Sequence, residues 1–94
     1  MELILGDKTY IAPDAKARMV RKAVAIAENT NFNDLKTADL DGLVDFTVSV
    51  YGNQFTRDDM YDELDANELI PAIVASIRGI TGVMNEKLEQ FPNA

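Results

Sequence analysis

Residues 56–91 read TRDDMYDELDANELIPAIVASIRGITGVMNEKLEQF, and the reading of this stretch decides the fold. Thr56-Arg57-Asp58-Asp59 has the form of a capping box, with Asp where Glu or Gln is usual, and predicts a short helix through Met60 and Leu64. Asp65-Ala66-Asn67-Glu68 repeats the pattern and opens a last helix running toward Gln90. Pro71 falls close enough to that start to be tolerated in the first turn or so. Along this helix Ile70, Ile73, Ile77, Ile80, Met84, Leu88 and Phe91 follow one another in steps of 3, 4, 3, 4, 4 and 3, nearly a heptad seam. From Ile70 to Ile80 the seam is expected to pack on the chain's own core. Beyond Gly82 the helix can outrun so small a core, which leaves Met84, Leu88 and Phe91 open to a partner helix or peptide. Gly79 and Gly82, poor helix residues, mark the place for a kink.

Upstream, a helix is expected to start near Thr37 and to end at Gly52. Leu40, Val44, Val48 and Tyr51, with Leu43, Phe46 and Val50 beside them, make it apolar round much of its girth, which puts it in the middle of the fold. Asn29 to Asp34 reads as a loop. Before it, a first helix is expected from Asp14, as N-cap, to about Asn29, burying Met19, Ala23 and Ile26. At the start of the chain, Glu2-Leu3-Ile4-Leu5 and Thr9-Tyr10-Ile11-Ala12 flank Gly6-Asp7-Lys8 and read as a β-hairpin. The fold class is therefore α+β, mostly helical: one domain over residues 1–94, with a hairpin at 1–12 and about four helices over 14–90, the last long and amphipathic. A lone two-stranded hairpin is marginal in water, so it must pack or pair, and Leu3, Leu5 and Tyr10 mark a candidate self-association edge.

Composition narrows the function. The 94 residues contain no Cys, His or Trp, which removes the commonest general base, the usual nucleophile–base pairs and the usual zinc ligands. Catalysis by paired carboxylates remains chemically open, but no spacing here suggests two facing acids in a cleft. No cofactor, metal site or catalytic residue is expected. The net charge of −7 is uneven: residues 1–36 sum to +1 and residues 37–94 to −8. Such a chain is repelled by nucleic-acid phosphates and anionic membranes, so neither is an expected partner. No apolar run reaches membrane-spanning length and Met1 to Ile4 does not open a signal peptide, so a cytoplasmic location is the default expectation.

Other motifs dissolve on inspection. Thr37, Asp39, Asp41 and Gly42 imitate a calcium loop, but its first ligand is wrong and Val48 stands where a bidentate Glu belongs. The acids from Asp58 to Asp65 have an ordinary cause in helix N-termini. The basic cluster from Lys16 to Lys22 is too small in this chain to claim nucleic acid.

The segment from Asn53-Gln54-Phe55-Thr56 through Leu64-Asp65 to Leu69-Ile70-Pro71 resembles the tail assembly chaperones of long-tailed bacteriophages, particularly of phages and prophages of Gram-positive hosts. The order of hairpin, two helices and then this segment extends the resemblance over nearly the whole chain. It implies a non-catalytic chaperone in the bacterial cytoplasm that binds the tape-measure protein during tube assembly, with the tail tube protein as a further candidate partner. It implies, too, that Phe55, Thr56, Tyr61, Leu64, Asp65, Leu69 and Ile70 build the fold, and that a frameshifted longer product often accompanies the short one. Candidate partner-binding residues are then Ile77, Ile80, Met84, Leu88 and Phe91, with homo-oligomerisation through the hairpin edge or the last helix. The competing expectation is an acidic interaction module, such as an inhibitor, antitoxin or nucleic-acid mimic, that binds one basic partner in a salt-sensitive way.

Overall fold

In the computed structural model, which describes the backbone of residues 1–89 and the side chains of residues 1–82, the predicted order is present. Strands β1 (Glu2–Leu5) and β2 (Lys8–Ile11) precede helices α1 (Ala17–Asn29), α2 (Thr37–Val50), α3 (Arg57–Glu63) and α4 (Ala66–Glu89). The strands pair antiparallel with Leu3 opposite Tyr10 and Leu5 opposite Lys8. The connection needs a positive φ at its first central residue, and Gly6 supplies it at 62°, as in a type II′ hairpin.

Helix α2 occupies the centre, as its apolar girth predicts. Leu43, Val44, Phe46, Val48 and Val50 are buried in one core with Leu5, Ala23, Met60, Ile73 and Ile80. Two hydroxyls share that interior and are satisfied by the carbonyl one turn back: Thr47 donates to Leu43 at 3.1 Å and Ser76 to Ala72 at 3.0 Å. The helix stops in a Schellman motif, in which the Asn53 amide donates to Val48 and the Gly52 amide to Ser49, both at 3.0 Å. That geometry requires left-handed backbone, and Gly52 (φ 70°) and Asn53 (φ 58°) adopt it.

The capping box at Thr56 forms in full. Its hydroxyl accepts from the Asp59 amide at 3.1 Å, and the Asp59 carboxylate accepts from the Thr56 amide at 2.9 Å. At the start of α4 the Glu68 amide instead donates to the main-chain carbonyl of Asp65 at 2.9 Å. One start and one cap differ from expectation. Helix α2 opens on Lys36, whose amide donates to Asp39 at 3.1 Å, so Thr37 is the first helical residue rather than the cap. Helix α1 begins at Ala17 with Lys16 before it, not at Asp14. The reason is tertiary: Pro13 packs over the end of α2, its Cγ 3.2 Å from where a Cβ on Gly52 would stand. The chain turns into a helix only after that crossing.

The hairpin is fastened by aromatic rings. Phe55 lies 4.9 Å from Tyr10 and 5.6 Å from Tyr51 between ring centroids, both tilted. Among the described residues no helix is long and apolar enough to cross a membrane.

Candidate partner-binding surfaces

The α4 seam packs on the core from Ile73 to Ile80 but not at Ile70, where the sequence spacing places its start. Ile73 and Ile80 are core residues, Ile80 only 3% exposed, and Ile77 packs against the same core half-buried. Ile80 is therefore spent inside the molecule and is no contact residue in this conformation. Ile70, at the head of the seam, turns outward and is 43% exposed. The side chains of Met84 and Leu88, and all of Phe91, lie outside the described residues.

In the hairpin, side chains and main chain have separate roles. Leu3, Leu5 and Tyr10 face the core, with Leu5 fully buried, so their side chains hold the hairpin down rather than offer it to a neighbour. A two-stranded ribbon packed on one face must show the other, and there Ile4 (57%) and Ile11 (68%) stand exposed. The Ala12 amide bonds to the Met1 carbonyl, so by alternation Glu2, Ile4, Thr9 and Ile11 direct their main-chain groups away from the partner strand. On the β2 side Gln54 donates to the Ile11 carbonyl at 2.8 Å and closes that end. On the β1 side no hydrogen bond among the described residues takes up the outward groups of Glu2 and Ile4.

One flank of α2 is closed by a polar clasp. Arg57 of α3 grips Asp45 through two nitrogens, Nε at 2.8 Å and Nη2 at 2.6 Å, and reaches Asp41 at 3.7 Å. Tyr61 donates its hydroxyl to Asp41 at 2.6 Å. The hydrogen bond from Arg57 holds the Asp45 carboxyl below its ordinary range. Burial first, and then the hydrogen bond to Asp41, push the Tyr61 phenol up to about 12. Asp39 and Asp41, members of the calcium-like run, are thus occupied by an amide and by a phenol. Sequence reasoning missed this clasp, although Asp41/Asp45 and Arg57/Tyr61 share the i,i+4 spacing that would have shown two complementary faces.

The other flank is open. Between α1 and α2 lie two adjoining concavities of about 320 and 310 Å³ that share Ala25, Ile26 and Gly42. Phe46 and Leu43 contribute to the walls, Arg21 and Lys22 stand at one end, and Asp39 stands at the other. No ionisable pair in this groove has the shared, enclosed geometry of a catalytic site; apolar and small residues dominate it.

Comparison with known families identifies the chain. The model of the phage tail chaperone protein family matches residues 2–93. The chain belongs to that family. No curated protein and no solved structure matches the chain. The family's role lies in phage tail assembly; the faces left open in the described residues are the outer face of the hairpin, the head of α4 and the α1–α2 groove.

Proposed function

We propose that this tail chaperone serves a long-tailed, siphovirus-type phage or prophage of a Gram-positive host, binding the tape-measure protein and keeping it soluble while the tail tube assembles. The role is non-catalytic and is carried out in the cytoplasm of the host cell. The observation that carries this reading is the family match along residues 2–93, the whole length of hairpin and helices. Physical chemistry supports it: a tape-measure chain offers long apolar helical stripes, which a small acidic domain can mask while its own charge keeps the complex in solution. The distal residues Met84, Leu88 and Phe91, which continue the heptad spacing in the sequence, are proposed to contact the partner, together with Ile77. Repeated copies along one tape-measure chain would meet through the β1 edge or the last helix, and the tail tube protein is a further proposed contact.

Co-expression with the tape-measure protein of the same phage tests the reading. Soluble tape-measure protein that co-purifies, and that is lost when Met84, Leu88 and Phe91 are changed together to Ser with the helical spectrum intact, is the expected result. Binding that survives high salt belongs to an apolar contact, whereas an acidic mimic of nucleic acid would lose its partner as salt rises. A partner that stays insoluble at every ratio of the two proteins overturns the reading.

A further inference from the structure

Gly42 sits in the middle of α2, is exposed, and adopts no unusual φ. A Cβ placed on it would meet nothing within 4 Å. Glycine is the least favourable helix residue after proline, and among the described residues neither backbone geometry nor packing calls for it here. What it does is lay the α2 backbone bare on the floor of the α1–α2 groove, where both concavities include it. Glycine on a groove floor permits an outside chain to approach closely.

The groove runs between two helices that form an antiparallel pair, and from Ala38 to Ser49 it is about 16 Å long, room for roughly three helical turns. Its ends differ in charge. Arg21 and Lys22, with Arg57 set against Asp41 and Asp45, sum to +1 at one end of a chain whose total is −7, and Asp39 lies at the other. A helix carries partial negative charge at its C-terminus and positive charge at its N-terminus. We infer that the α1–α2 groove receives an amphipathic helix of the partner protein, its apolar stripe on Ala25, Ile26, Gly42 and Phe46. The helix lies with its acidic C-terminal turn at Arg21 and Lys22. A second copy of this chain is disfavoured as occupant by the mutual repulsion of two strongly acidic molecules. The inference rests on the tape-measure reading and assigns that partner a surface separate from the distal end of α4.

The test uses the full chain and helical peptides of roughly 20–30 residues tiled along the tape-measure protein, long enough to form helix on binding. Wild type is expected to capture a subset of peptides with apolar stripes and acidic C-terminal turns. Gly42→Leu fills the groove with a good helix former and is expected to fold at least as well while weakening capture about tenfold or more. The double variant Arg21→Glu, Lys22→Glu should weaken the same peptides and regain affinity when their acids are changed to Lys. Capture by a folded Gly42→Leu variant equal to wild type overturns the groove and leaves the tape-measure reading standing. No capture by wild type overturns both. Self-association that Gly42→Leu abolishes while peptide capture is unchanged gives the groove to a second copy, and overturns the inference as well.

Discussion

The two flanks of α2 are built on opposite plans. Toward α3 the surface is closed by a full capping box, a two-point Arg57–Asp45 pair and the Tyr61–Asp41 hydrogen bond. Toward α1, Asp39 caps its own helix and Asp45 is held by Arg57, but among the described residues no side-chain hydrogen bond or ion pair joins α2 to α1, and an apolar trough with glycine on its floor is left between them. Polar groups locked to one another fix a helix in place, whereas a trough of small and apolar residues is unfinished until something lies in it. The α3 side is therefore read as architecture and the α1 side as a working surface.

Substitutions can break or sharpen this contrast. The largest effect is expected at Gly52, on the same helix as Gly42 but with the opposite logic. Its φ of 70° and the Pro13 Cγ at 3.2 Å both oppose a side chain. Gly52→Ala should cost about 1–2 kcal/mol or more, read from urea unfolding. Tyr61→Phe removes one hydrogen bond of the clasp and should cost about 1 kcal/mol, without affecting peptide capture in the groove. Gly42→Ala should stabilise by about 0.5–1 kcal/mol, because the helix gains propensity and the new methyl meets open space. A loss of stability at Gly42→Ala would mean that the trough is narrower than described.

The smallest effects concern pH. The Tyr61 phenol titrates near 10 in the unfolded chain and at about 12 when folded. Between those values the unfolded state binds fewer protons than the folded one, so stability falls as pH rises through that window. Tyr61→Phe should flatten the decline, and phenolate absorbance should show the delayed titration. Asp45 behaves in the opposite sense. Its folded-state pKa is depressed, so its contribution is present above its ordinary carboxylate range and is lost as pH falls through the folded value. The effect is small because both partners face solvent.

What was legible in the sequence was local. The hairpin, the four helices, the Thr56–Asp59 box and the interior position of α2 all depend on residues within a few positions of one another. The start of α1 depends instead on Pro13 meeting Gly52, and a favourable N-cap at Asp14 was not enough to outweigh that packing. The clasp likewise needs two i,i+4 faces, with contacts 12 and 20 residues apart, to be matched across space. The seam marked the helix α4, but of the candidate binding residues on it Ile80 completes the core, and the side chains of Met84, Leu88 and Phe91 lie outside the described residues. Leu3, Leu5 and Tyr10 turn inward because a hairpin this short needs its apolar face for anchorage. The groove left no apolar stripe to find, since in sequence Gly42 is only a weak point in a helix.

The most direct test of the contrast is a nuclear magnetic resonance titration of the isotopically labelled chain with a tape-measure helix that it captures. The account predicts that amide shifts move along Ala25, Ile26 and Gly42 on the open flank, while those of Met60 and Tyr61 in α3 stay in place. Shifts confined to α3, with the groove silent under saturating partner, would contradict it.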